Sequence, residues 1–511
     1  PAISRMLFAV GRLETWCSYM LLLDSLFAIM APRTSLVLAP APSAHAALSA
    51  KPSNSAAKSS ALRSPAQTTL ASLKSLAQNA EYEAFRQAWR VALNEGDGGV
   101  PQVSLYKLLA ETELAAGDHE RLAAAARVLI DEFGAPEGGY YQAHSDYLHA
   151  QYASAIERLQ CVVYQSPDYV EAATLLAKCF RDAGQSEAAW RSLESLLPKS
   201  DDLMIWSAMA SLVQSQTDFT RLLGHFQKRQ VSPGPTPGES VVAPDKHPLE
   251  YLALGALRTG NFTLAKSVWQ DLLRHIAGLP PRGPGAQPTA PEYSSRRAQL
   301  ALIDLKRTLQ AAEIPMFLVS GTLLGCVREG RLLGHDHDVD VGIWDEVNRE
   351  HLLSVLLKSG LFYDQASRAP EIVRLKHVNG IVIDMFYHFR SPGDYWHRGV
   401  KIIWHNTPFK LAVRNFLGEE FLIPEDYDTY LTENYGDWRT PKIDFDCAFD
   451  TPNAQIANRD ELLIHTYKML GQAMAAGALG RAAFFLARLR EMGVKDFADA
   501  LSKQLRLEQP S

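Results

Sequence analysis

Residues 318–344 read LVSGTLLGCVREGRLLGHDHDVDVGIW, and the fold of the chain turns on this stretch. Asp336, Asp338 and Asp340 stand at alternate positions. On a strand, residues two apart share one face. The VDVGI portion therefore sets Asp338 and Asp340 on one side, with Val339 and Val341 packed into a core. Three carboxylates on one face repel each other strongly unless a cation sits among them. Hard oxygen ligands in this arrangement suit Mg²⁺ or Mn²⁺. Just upstream, PMFLVSGT predicts a strand running into a turn. Gly321 in that turn lets backbone amides approach a phosphate closely.

Three other readings of the aspartates carry less weight. A calcium loop needs Gly at its sixth position and Glu at its twelfth, where this chain has Val341 and Val347. A solvated acidic turn does not account for apolar residues alternating with the acids. Zinc on His335 and His337 lacks a Cys or His partner at suitable spacing. A further carboxylate supports the metal. Asp384 lies inside the apolar run IVIDMFYHF, where a lone acid is costly to bury without a partner. The plain alternative is an Asp at a strand end bonding a neighbouring amide.

Around this core the pattern is mixed. SSRRAQLALIDLKRTLQAA (294–312) and HLLSVLLKSG read as helices. EIVRLKHV and GIVIDMFYHF read as two strands joined by a turn at Asn379-Gly380. Upstream, from about 80 to 277, the chain reads as helix with an internal period of 34 residues. Gly184, Ala189 and Leu193 set the offsets. Ala150, Ala155 and Leu159 repeat them one period earlier, and Asp218 and Leu223 fall one period later. Gly260, Ala265 and Trp269 form a further unit, a weaker one begins at Gly117, and Gly477, Ala482 and Leu486 echo the pattern near the end. Such a repeat resembles tetratricopeptide repeats, whose helix pairs stack to bury a continuous core. A generic alanine-rich bundle is the simpler alternative.

Linkers and ends complete the division. Residues 231–248 hold seven Pro or Gly in eighteen, and residues 278–291 hold eight in fourteen. Both predict breaks in regular structure. Residues 31–68 are low in complexity, with 24 of 38 being Ala, Ser or Pro, and have little to bury. The apolar run 18–30 is interrupted by Asp24 and is shorter than the ~20 residues a membrane helix needs. It reads as a signal-peptide core or as a poorly ordered extension. The chain divides into an extension (1–79, expected disordered), helical repeats (80–277), a linker (278–291), a catalytic domain (292–454) and a helical hairpin (455–511).

The 511 residues suggest two to four domains. A net charge of −6 gives no global basic field for nucleic acid. Five cysteines without C-x-x-C spacing suit a reducing compartment.

A Ser-Gly pair after a strand, two aspartates separated by one apolar residue, and a third on a later strand together resemble the nucleotidyltransferase fold. The expected fold class is thus multidomain: an α-helical, tetratricopeptide-like (TPR-like) solenoid plus an α+β nucleotidyltransferase-like catalytic domain. A narrower resemblance is to the LicD/fukutin family of phosphotransferases. It rests on Ser320-Gly321-Thr322-Leu323-Leu324-Gly325, Arg328 and Gly330, then Asp336, Asp338, Asp340 and Gly342. FLIPEDYDTYLTENYGDW, with Ile423-Pro424, Tyr430-Leu431 and Tyr435 to Trp438, is similar to a later block of the family. The family usually has Trp before the first Asp, where this chain has His335.

The resemblance implies transfer of a phospho-alcohol, such as phosphocholine or ribitol phosphate, from a CDP-linked donor to a hydroxyl of a glycan. Asp336, Asp338, Asp340 and Asp384 would hold Mg²⁺ or Mn²⁺, with Asp384 also placed to take the acceptor's proton. Ser320, Gly321, Thr322 and Arg328 would meet the donor. His337, His377 and His388 are rival bases; Tyr435 to Trp438 are expected to close the core, the alternative being that they pack on the donor base. A protein partner would bind the concave face of the repeats. The expected localisation is cytoplasmic, with peripheral membrane attachment as an option and no transmembrane span. Two rivals remain at this point: a nucleotidyltransferase moving a nucleoside monophosphate, and a TPR scaffold whose catalytic domain is inactive.

Overall fold

The computed structural model describes residues 70–95, 101–200, 202–229, 247–279, 294–334, 336, 338–442 and 445–507. All lie in one of the chain's two units, Thr68–Ser511 with Pro1–Ile3. The other unit, Ser4–Gln67, falls outside the described residues, as do the apolar run 18–30 and the low-complexity segment up to residue 69. Among the described residues there are nineteen α-helices and ten strands.

The helical part follows its sequence offsets. Ala155, Leu159, Ala189, Leu193 and Ala265 are fully buried, and Trp269 is 2% exposed. The small residue lets neighbouring helices approach, and the large one fills the space beside it. The tight turn between helices needs a left-handed residue. Gly117, Gly184, Gly260 and Gly477 supply it, with φ of +69°, +75°, +71° and +69°. Ala150 adopts φ +56° at the same place, a strained choice for a residue with a Cβ. Asp218 departs from the pattern. It sits in the first turn of Gln216–Lys228 and closes a capping box with Ser215.

Several expected boundaries shift. Residues 70–79, placed in the disordered extension, begin the helical part: Leu70–Gln78 is a helix, and Leu73 packs with Phe85 and Trp89. Pro248 is the first residue of Pro248–Arg258, where its missing N–H costs nothing, and Gly278 ends Phe262–Gly278. The expected C-terminal hairpin is three helices: Arg459–Ala475, Leu479–Glu491 and Lys495–Gln504.

The mixed sheet runs in the order β10-β7-β6-β5-β2-β1-β9-β8, with β4 also on β5 and β3 on β4. The strands are β1 (Phe317–Leu318), β2 (Asp338–Trp344), β3 (Phe362–Asp364), β4 (Ile372–His377) and β5 (Val382–Ser391), followed by β6 (Asp394–Arg398), β7 (Ile402–Asn406), β8 (Leu411–Phe416), β9 (Glu419–Pro424) and β10 (Ala454–Ile456). β2 lies parallel to β5 and antiparallel to β1. Val339, Val341 and Ile343 of β2 are fully buried, in one core with Ala298, Leu302, Leu305 and Leu309 of the helix Ser295–Ala311. Burying a side chain of that size contributes about 1.5–3 kcal/mol, so the apolar half of the alternation holds the acidic half in place. β4 and β5 form the expected hairpin, with Gly380 at φ +97°.

One connection was not foreseen. The helix Arg459–Ala475, which follows the sheet in the chain, packs on Phe262–Gly278, which precedes it. Lys266 donates to Asp460 (2.8 Å) and Gln270 to the Tyr467 hydroxyl (2.8 Å). The sheet domain is thus inserted into a helical stack that resumes after it.

Candidate active site

Strand register builds the acidic cluster. Asp340 of β2 lies opposite Asp384 of β5, and Asp338 lies two residues before Asp340 on the same face. Carboxylate oxygens of Asp338, Asp340 and Asp384 all lie within 4.8 Å of one another. Burial raises the Asp338 carboxyl to about 7, with Asp336 and Asp384 adding to the shift and Arg374 opposing it. Burial also pushes Asp340 well above the carboxylate range. Asp338, Asp336 and Asp384 push it further, against one amide bond from Gly321. Oxygens this close, in charged form, fit a hard divalent cation.

The turn after β1 does not stay a turn. Ser320–Leu324 is a short α-helix, continued by a π-helical turn at Gly325–Glu329. Ser320 enters it at φ +48°, a strained conformation for a non-glycine residue. The Gly321 N–H points at Asp340 Oδ2 (3.3 Å), so this amide serves the carboxylate. Asp336 crosses directly over Gly321. A Cβ there would stand 2.2 Å from its Oδ2, so any side chain would push that carboxylate aside. Asp336 is outside the mutually close trio but hydrogen-bonds Asp338 and helps to raise its carboxyl.

Thr322 is not placed to touch a donor. It is 1% exposed, and its Oγ1 accepts the Asp340 N–H at 2.8 Å, so it fixes the strand from behind. Arg328 lines the cavity, but its Nη1 donates to the Trp438 carbonyl (3.1 Å) and its Nη2 pairs with Glu329 (3.3 Å). Its Nε is buried without a partner. Asp384 has an unforeseen one. Arg374 sits across the β4–β5 pair and donates to both its oxygens, at 2.7 and 2.6 Å.

Of the rival bases, His377 is 2% exposed and lies 3.2 Å from Asp304, and His388 is 1% exposed on the Phe386 carbonyl. Neither lines the cavity. His335 and His337 lie outside the described residues. Trp438 is 7% exposed and donates to Asp428, yet it and Tyr435 also line the cavity.

The trio opens into a cavity of about 970 Å³. Ser320, Gly321, Asp336, Arg374 and Lys401 line its sheet side. Tyr251, Leu254 and Arg258 from the helical array, and His465, Lys468 and Met469 from Arg459–Ala475, line the cavity as well. The array therefore contributes a wall to the site. This wall was hidden in the sequence, because nothing local marks a surface made by two segments some 200 residues apart. Arg374 was findable: it is the residue that an Asn379-Gly380 hairpin sets opposite Asp384.

Residues 313–426 match the family model described as LicD/FKTN/FKRP, nucleotidyltransferase domain. This part of the chain, which carries the three close aspartates, is a domain of that family. Among curated proteins, the Ribitol-5-phosphate transferase FKTN of Mus musculus is 24% identical over 170 residues, covering 31% of this chain and 37% of the relative. The protein of the same name from Homo sapiens is 23% identical over 178 residues, covering 33% and 39%. The chain thus spans less than two-fifths of the length of the curated relatives it matches. The helical wall of the cavity lies outside the matched domain.

Proposed function

We propose that this protein is a metal-dependent phosphotransferase that moves a phospho-alcohol, of the ribitol-phosphate or phosphocholine type, from a CDP-linked donor to a glycan hydroxyl. The observation that carries the reading is the trio Asp338, Asp340 and Asp384, set by strand register inside a domain of the LicD/FKTN/FKRP family. The name of the matching relatives favours ribitol phosphate.

Asp338, Asp340 and Asp384 would hold Mg²⁺ or Mn²⁺, with Asp336 alongside. The ion supplies charge neutralisation at the donor phosphates. Thr322 and the Gly321 amide keep Asp340 aimed at the site. In the reaction, the acceptor hydroxyl attacks the alcohol-bearing phosphorus. A new P–O bond forms, and the bond to the CMP oxygen breaks, with its electron pair leaving on CMP. The hydroxyl proton passes to a cavity base. Asp384 suits that role less than its sequence position suggests, because Arg374 occupies both its oxygens. The cavity is large enough for donor and acceptor together, being near the upper end of the ~300–1,000 Å³ usual for ligand sites.

The test is a screen of CDP-linked alcohols with Mn²⁺ or Mg²⁺, following CMP. Metal-dependent CMP release that is lost in Asp338→Asn supports the reading. Pyrophosphate release from a nucleoside triphosphate, with no CMP from any donor, favours nucleotidyl transfer.

A further inference from the structure

Seven cationic side chains line the cavity, and most are already neutralised. Arg328 holds Glu329, Arg368 holds Glu461, Arg374 holds Asp384, Lys442 holds Asp450 and Lys468 holds Glu250. Arg258 reaches a carbonyl, that of Ala366 at 3.3 Å. Lys401 is different. It sits in the bend before β7, its backbone carbonyl accepts the Ala457 N–H, and its ammonium has no hydrogen bond or ion pair among the described residues. Asp446 feels the Lys401 charge without an ion pair between them, so the ammonium keeps its donors for an anion in the cavity.

The position of Lys401 limits what that anion is. The Cys447 thiol, also on the cavity wall, is influenced by Lys401 and by the carboxylates of Asp446, Asp340 and Asp338. Lys401 and the acidic trio line the same cavity. An anion bound in that cavity can meet two cations: an ion on the trio and the ammonium of Lys401. A diphosphate has the charge for both contacts, and a neutral sugar does not.

We infer that Lys401 is a positioning residue for the donor, binding the diphosphate of the CDP-linked substrate. This deepens the proposed function and rests on its donor assignment. The ammonium would hold the diphosphate in line with the acceptor and share the charge that builds on departing CMP.

The experiment is equilibrium binding of CDP to the full chain with Mn²⁺ at two salt concentrations. Lys401→Met is expected to weaken CDP about tenfold or more, as loss of a charge-assisted contact does, and to flatten the salt dependence. Lys401→Arg should recover most of the affinity. Mn²⁺ affinity without nucleotide, and the melting temperature, should match wild type in both variants. Unchanged CDP affinity in Lys401→Met overturns the inference. So does a parallel loss of Mn²⁺ binding, which would make the residue a support for the carboxylates. If the wild-type chain itself binds no CDP with Mn²⁺, the donor assignment falls first, and this inference with it.

Discussion

Arg374 grips Asp384 with two hydrogen bonds, of 2.7 and 2.6 Å, and Asp384 lies directly across the β2–β5 pair from Asp340. The guanidinium thus sits where a metal ion would also draw the same carboxylate. Asp384 is 7% exposed, so its charge needs a partner. The Arg374 side chain is half exposed, which reduces what the pair contributes. Arg374→Gln should destabilise the metal-free protein by about 1–2 kcal/mol. Saturating Mn²⁺ should restore most of that loss, because the ion takes over the carboxylate. Thermal melts with and without Mn²⁺ check this, and a loss that Mn²⁺ leaves untouched argues against a metal at Asp384.

The like charges of the trio predict a trade between stability and function. Asp340→Asn removes one charge from a cluster whose members push one another's carboxyls up. The metal-free variant should be more stable than wild type, by roughly 1 kcal/mol or more, while Mn²⁺ no longer stabilises it. Transfer activity should fall on the order of a thousandfold. A variant that melts lower than wild type and still gains from Mn²⁺ would contradict the account.

Gly321→Ala tests a contact and not a charge. The new methyl would stand 2.2 Å from Asp336 Oδ2, so the acid must move. Activity should drop about a hundredfold, the usual scale for an ångström-sized displacement at a reacting centre. The melting temperature should change little, since Gly321 lies at the cavity and not in the core.

Acid should loosen the seam between the helical array and the sheet. His144 accepts the Tyr363 hydroxyl or donates to it at 2.8 Å, and burial, with Lys178 and His119 adding, lowers its pKa to about 3. The folded state keeps this imidazole neutral, whereas the unfolded chain binds a proton near pH 6.5. Unfolded protein therefore holds more protons between pH 6.5 and about 3, and stability falls as pH drops through that window. At pH 5 this histidine alone removes about 2 kcal/mol. Melting temperature against pH should be flatter for His144→Gln than for wild type; superimposable slopes would exclude His144 as a contributor.

Much of the site is local and therefore legible in one dimension. Alternation places Asp338 and Asp340 on one face, and a hairpin signal at Asn379-Gly380 delivers Asp384. The 34-residue offsets mark Ala155, Ala189 and Ala265 as helix-contact positions, and all three are fully buried. What escaped is long-range. Thr322 looks like a donor contact until β2 is laid against it and its hydroxyl is seen to hold the Asp340 amide. Arg258 and His465 are unremarkable helix residues until Arg459–Ala475 docks on Phe262–Gly278 and turns them towards one cavity. Pairing across 200 residues leaves no periodic trace. Naming the array tetratricopeptide-like remains our proposal, supported by its left-handed turns and small–large offsets.

The fate of the alcohol-bearing phosphorus tests the central claim most directly. CDP-ribitol labelled at that phosphorus should be incubated with the full chain, Mn²⁺ and a panel of glycan acceptors. The account predicts label on the acceptor, unlabelled CMP in equal amount, and neither product with Asp338→Asn. Label that stays on the nucleotide, while the same protein releases pyrophosphate from a nucleoside triphosphate, would contradict it.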